Sequence, residues 1–157
     1  MQRFNTQSLK QKKSNYVKKL LLDAEELCGQ QKKRFTNQRK EVLRIIATSE
    51  KALGAYDILE QMNLEGKRQA PVTAYRALDF LLEMNFVHRL NSLNAFVACI
   101  SSHKDHTAQF LICHYCKYVG ELNNQKISDQ IEKDAIEAGF EVNHQQVEII
   151  GKCNKCP

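Results

Sequence analysis

Two Cys-x-x-Cys hooks, Cys113-His114-Tyr115-Cys116 and Cys153-Asn154-Lys155-Cys156, constrain this chain more than anything else in it. Each hook offers two sulfurs from a tight turn. The 36 residues between them let both close on one ion. Four thiolates in a tetrahedron suit Zn²⁺, a filled-shell ion with no geometric preference of its own. One hook alone would read equally as a redox motif. Two, in a segment short of other core-forming material, read as a metal site, with a disulfide framework as the remaining alternative.

At 157 residues the chain holds one ordinary domain or two small ones. It has no apolar run near the roughly 18 residues that would span a bilayer. The first 14 residues are polar and rich in Lys and Gln, without the apolar stretch of a secretory signal. Six cysteines without an export signal point to a reducing cytoplasm and to thiolate ligands rather than disulfides. Charge is unevenly spread: 17 Lys and Arg against 10 acidic residues up to position 90, then 6 against 8 beyond it. That asymmetry suggests a polyanion partner for the first part alone, although a solvated surface of uneven charge gives the same count.

Apolar spacing divides the chain into a polar tail (1–14), a first domain (15–101) and a second (102–157). Val17, Leu20, Leu21, Ala24 and Leu27 trace an amphipathic helix from about Asn15 to Gly29, in which Cys28 reads as a small buried hydrophobe. Thr36 is placed to cap a second helix with Val42, Leu43, Ile45 and Ile46 inward. Gly54 precedes a third, Ala55 to Met62. Pro71-Val72-Thr73 opens a fourth, with Thr73 as its cap and Ala77, Leu78, Leu81 and Leu82 as its apolar set. Residues 86–90 and 95–99, around a turn at Asn91 to Asn94, predict a β-hairpin. Helices followed by a hairpin describe a winged helix-turn-helix, whose last helix enters the major groove. The second domain predicts strands at Gln109–Ile112 and Tyr118–Leu122, a helix through Ile127, Ile131, Ala135 and Ile136, and a final strand from Phe140 to Ile150, broken near Asn143 and His144. The class is therefore α+β. The second unit is too small to be comfortable alone, and both zinc and a partner subunit would help it.

Further metal-ligand types gather around the joint. His88 and Cys99 lie on opposite arms of the predicted hairpin, His106 in the connector and Glu121 on the strand after the first hook. One thiolate, two imidazoles and a carboxylate make a plausible tetrahedral Zn²⁺ set, and the thiolate argues against magnesium or calcium. Taken singly, each is as readily a packed or surface residue.

Arg34-Phe35-Thr36-Asn37-Gln38-Arg39, Ala55-Tyr56-Asp57-Ile58-Leu59, the run Thr73 to Leu82, Phe86-Val87-His88 and the two hooks together resemble the ferric uptake regulator family from about residue 16 to the end. Cys99, at the end of the wing, makes the zinc uptake regulator branch the nearer match. The resemblance implies a homodimeric, zinc-activated repressor acting on a palindromic operator in double-stranded DNA, with zinc-uptake genes as targets. It implies two Zn²⁺ per subunit: a structural ion on Cys113, Cys116, Cys153 and Cys156, and a regulatory ion on His88, Cys99, His106 and Glu121. A third site, carried by some relatives, would use His103, Asp105 and His144, but Ser128 stands where a carboxylate is expected, with Asp129 and Glu132 nearby. Where relatives often read Pro-Thr-Val-Tyr-Arg, this chain reads Val72-Thr73-Ala74-Tyr75-Arg76.

Arg76 is the first choice for a base contact, because guanidinium pairs bidentately with guanine. Thr73 and Tyr75 share its helix, and Tyr75 suits packing or a phosphate. Tyr56 resembles a family position that reaches bases. Arg34, Arg39, Lys67 and Arg68 are phosphate candidates, or else plain solubilising charges, and the lysines from Lys10 to Lys19 add salt-sensitive attraction. An iron- or peroxide-sensing regulator of the same family, a zinc-ribbon interaction module and a zinc-dependent enzyme are the alternatives. The enzyme is disfavoured because no His-x-Glu precedes a Pro-Cys-x-x-Cys here.

Overall fold

The structure, a computed structural model, describes residues 6–64, 69–99 and 107–157, and side chains from Lys13 onward. It falls into two compact units divided between residues 103 and 104. None of the helices among the described residues is long and apolar enough to cross a membrane.

The first unit opens with α1 (Thr6–Gln30), α2 (Asn37–Thr48), α3 (Ala55–Leu64) and α4 (Pro71–Glu83), followed by a hairpin of β1 (Val87–Leu90) and β2 (Ala95–Ala98). α1 reaches back well before Asn15, into the stretch expected to be a polar tail. Nothing between Thr6 and Gly29 breaks a helix, and Lys, Gln and Leu favour one even without an apolar face. Thr36 caps α2 as expected, its Oγ1 accepting from the Arg39 amide at 3.4 Å. α3 is started differently: the Asp57 carboxylate reaches back to the Gly54 amide at 2.9 Å, half of a capping box.

α4 departs from its expected start. Ala70 holds the cap position with no side-chain bond, Pro71 is the first helical residue, and Thr73 lies inside, its amide bonded to the Ala70 carbonyl. Proline's fixed φ replaces a capping side chain at the first position. Ala74, outside the expected apolar set, is also buried, 1% exposed, in line with Ala77, Leu78 and Leu81 one and two turns on.

Leu20, Ala24 and Cys28 of α1 meet Val42, Leu43, Ile45 and Ile46 of α2, Ile58 and Met62 of α3, and the inner face of α4 in one continuous core. The wing closes that core with Phe86, Val87 and Phe96. Its register pairs Val87 with Ala98 and Leu90 with Ala95. Leu53 adds a third rung by exchanging both backbone bonds with Phe96. This is a winged helix.

The second unit runs β3 (Ala108–Cys113), β4 (Val119–Leu122), α5 (Gln125–Glu137) and β5 (Gln146–Gly151), with sheet order β4-β3-β5. β4 is antiparallel to β3 and β5 parallel to it. The final strand begins at Gln146, not at Phe140, because Gln146 is already opposite Ala108, the first residue of β3. Residues 140–145 have no strand to pair with in this sheet.

Candidate metal centre and nucleic-acid interface

Parallel pairing builds the four-cysteine site. Because β3 and β5 run the same way, their C-terminal ends lie side by side, with Cys113 opposite Gly151. The first hook leaves one end and the second hook follows the other, so residues 40 positions apart meet at the ends of two neighbouring strands. The first knuckle turns through Lys117 at φ 59°, with Cys113 and Tyr118 bonded across it. The two knuckles are then tied together: the His114 amide donates to the Gly151 carbonyl at 2.9 Å, and His114 Nδ1 lies 2.7 Å from the same oxygen.

Among the described residues, the one set of three or more metal-ligand types that converges is Cys113, Cys116, Cys153 and Cys156, with all four sulfurs within 4.8 Å of one another. Three of the separations are 3.8 Å (Cys113–Cys156), 3.7 Å (Cys116–Cys153) and 3.6 Å (Cys153–Cys156). A regular tetrahedron with Zn–S bonds of about 2.3 Å has edges of about 3.8 Å. A disulfide would need about 2.05 Å, and none of the six cysteines is in one. The donor set fits zinc in both chemistry and size.

The protonation pattern without metal follows from crowding. Backbone amides of Cys116 and Cys153 point at the Cys113 sulfur and bring its pKa down to about 5. Desolvation, then the neighbouring Cys153, Cys116 and Cys113 sulfurs, push the Cys156 thiol up to about 12. One sulfur is ready as a thiolate, and another holds its proton until a cation displaces it.

The second ligand set is divided. His88 and Cys99 are both buried, at 9% and 1% exposure. The Cys99 amide donates to the Phe86 carbonyl, extending the register that pairs His88 with Val97. Phe86, His88, Val97 and Cys99 therefore share one face of the hairpin, and His88 and Cys99 are diagonal neighbours on it. An imidazole and a thiol, both buried on one face of the wing, are of the ligand types that zinc takes. Glu121 is half-buried on β4 in the other unit, opposite Phe110. His106 lies outside the described residues, as do His103 and Asp105 of the third candidate site. His144 is exposed between α5 and β5. Ser128 is buried, and its hydroxyl accepts from Gln109 Nε2 at 2.9 Å, so a neutral pair occupies that position.

On the first unit, α4 presents Tyr75 and Arg76 to solvent, with Thr73 half-buried beside them. Tyr56, 76% exposed at the start of α3, is among the most exposed apolar side chains described. Arg34 is exposed, and Lys67 and Arg68 lie outside the described residues. Arg39 is half-buried and tied into the fold. Its guanidinium lies 3.6 Å from the centre of the Phe80 ring and donates to the Arg34 carbonyl. Sequence reading missed this role and that of His114, since both depend on contacts between elements.

A winged helix linked to a small unit closed by four cysteines defines a zinc-binding member of the winged-helix proteins. The model of the ferric uptake regulator family matches residues 30–150, and the chain belongs to that family. It is 38% identical, over 89% of its length and 82% of the relative's, to the zinc uptake regulation protein of Escherichia coli (strain K12). A solved zinc uptake regulator complexed with zinc and DNA superimposes with a TM-score of 0.83 at 37% identity, covering 89% of this chain and 94% of that one. Holo XcZur does so with a TM-score of 0.79 at 40% identity, covering 87% and 95%.

Proposed function

We propose that this chain is a zinc-responsive, DNA-binding transcriptional repressor of zinc-uptake genes, active as a cytoplasmic homodimer on a palindromic operator and not as an enzyme. The reading rests on the buried imidazole–thiol pair of His88 and Cys99 on the wing, in a chain whose relatives include a regulator solved with zinc and DNA. Two Zn²⁺ per subunit are expected. Cys113, Cys116, Cys153 and Cys156 hold the structural ion; His88, Cys99, His106 and Glu121 hold the regulatory one. His103, Asp105 and His144 form at most an accessory site.

His88, Cys99, His106 and Glu121 would share a regulatory Zn²⁺ as one common node. His88 and Cys99 offer that node to the DNA-reading domain (15–101), Glu121 to the dimerisation domain (102–157), and His106 to the link. Four ligands drawn from both domains restrict the angles the joint samples, and with them the spacing of two recognition helices across one helical turn of DNA. Arg76 and Tyr56 read bases, Thr73 and Tyr75 flank them, and Arg34, Arg39, Lys67 and Arg68 supply phosphate attraction. Coupling is reciprocal, so operator DNA tightens zinc by the factor that zinc tightens DNA.

The test is footprint affinity against buffered free Zn²⁺, Fe²⁺ and Mn²⁺ under reducing conditions, with wild type and Cys99→Ser. Wild type responds to zinc at the lowest free concentration, and Cys99→Ser loses that response with its fold intact. A wild-type zinc response in Cys99→Ser, or a tighter response to iron, would end this reading.

A further inference from the structure

Cys99 is the last described residue of the first unit, and both of its backbone polar groups are held. Its amide donates to the Phe86 carbonyl at 3.0 Å. In an antiparallel pair of this kind the return bond runs from the Phe86 amide to the Cys99 carbonyl. That donor is committed elsewhere: the Phe86 amide closes the end of α4 on the Leu81 carbonyl at 2.9 Å. The Cys99 carbonyl instead accepts the Tyr16 hydroxyl at 3.1 Å, across 83 residues of sequence. Tyr16 sits on α1 with its ring packed against the main core, so the hydroxyl is carried on a firm support. The first helix thereby reaches the end of the wing.

We infer that Tyr16 is a positioning residue for the regulatory zinc ligand Cys99: by holding the Cys99 carbonyl it fixes the direction of the sulfur relative to His88 and lowers the free zinc concentration at which the protein responds. The inference rests on the reading of Cys99 as a ligand. With its amide bonded to Phe86 and its carbonyl to Tyr16, Cys99 has its backbone direction set from both the wing and the first helix. A tetrahedral site tolerates ligand displacements of only about 0.5 Å. Groups that orient metal ligands from the next layer typically change affinity by about 10- to 100-fold when removed. A neutral bond to the ligand's backbone, rather than to its donor atom, belongs at or below the lower end of that range.

Tyr16→Phe removes the hydroxyl and keeps the ring in the core. The full chain, purified with its structural zinc, is titrated with Co²⁺ while the thiolate-to-cobalt charge-transfer band is followed. Binding to a DNA duplex selected by the zinc-loaded wild type is then measured against buffered free Zn²⁺. The thermal midpoint is recorded with only the structural zinc bound. Both metal midpoints should rise roughly three- to ten-fold, with DNA affinity recovering as zinc approaches saturation. Unchanged metal midpoints with a lowered thermal midpoint would make the bond part of the scaffold alone and overturn the inference. Cys99→Ser is run in parallel. If it keeps the wild-type response, the ligand reading itself fails. If it abolishes the response while Tyr16→Phe leaves it intact, only the positioning role falls.

Discussion

Arg39 shows how a residue's chemistry can be legible in the sequence while its contacts within the fold are not. A guanidinium near a suspected DNA face reads as a phosphate ligand, yet here it is laid over Phe80 of α4 and bonded to the Arg34 carbonyl. Stacking of this kind contributes about 0.5–1 kcal/mol at a partly exposed site. Lysine cannot reproduce the planar stack or the forked donors. Arg39→Lys should therefore lose about 1 kcal/mol in urea unfolding, nearly as much as Arg39→Ala; full stability in the lysine variant would show that only the charge matters. At the four-cysteine site the proton on Cys156, held by a pKa near 12, must leave when zinc binds. Cys113, near 5, is already a thiolate at neutral pH. Zinc addition at pH 7 should release protons into a weakly buffered solution, and zinc affinity should rise between pH 6 and pH 8. A pH-independent affinity would contradict the assignment.

Among the elements, those whose stabilising contacts are local were the legible ones. The start of α2 could be placed to the residue because Thr36 caps it and its apolar stripe follows within three turns. The hairpin turn Asn91–Asn94 was legible because asparagine tolerates the left-handed conformation that Asn94 adopts at φ 46°. The start of α4 and the start of β5 were not. One depends on proline replacing a side-chain cap, the other on where β3 begins, at Ala108, roughly forty positions earlier. Ala70, the uncapped position before α4, offers a direct check. Ala70→Ser should stabilise the protein by about 0.5–1 kcal/mol, seen as a higher urea midpoint with an unchanged slope. A lower midpoint would mean that the residue makes contacts a hydroxyl disturbs.

For the molecule as a whole, the two units are held by different forces. The continuous apolar cluster belongs to the first, running from Leu20 to Phe96. In the second, the fully described buried set is short: Ala108, Gln109, Phe110, Ile112, Cys113 and Ser128. Leu111, Ile131, Ile136, Phe140 and Ile149 remain exposed in the single chain. So small a core needs the four-sulfur site as a staple. Chelation of the structural zinc, or Cys113→Ser, should split thermal unfolding into two transitions. The second unit would melt first while α1 to β2 keep their cooperative transition, as calorimetry and hydrogen exchange would show. A single unshifted transition would show that the sulfur cluster carries no folding energy.

Sequence by itself determined the winged helix, the cap of α2 and the four sulfurs of the metal centre. Each is written in short-range spacing: helical and strand periodicity, a capping residue, two hooks of fixed length. Only the tertiary structure decided that parallel pairing of β3 and β5 sets the hooks side by side, that Arg39 lies on Phe80, and that Tyr16 holds Cys99. Those contacts join residues far apart in the chain, and no local pattern records them, because they exist only once the core has brought the elements together.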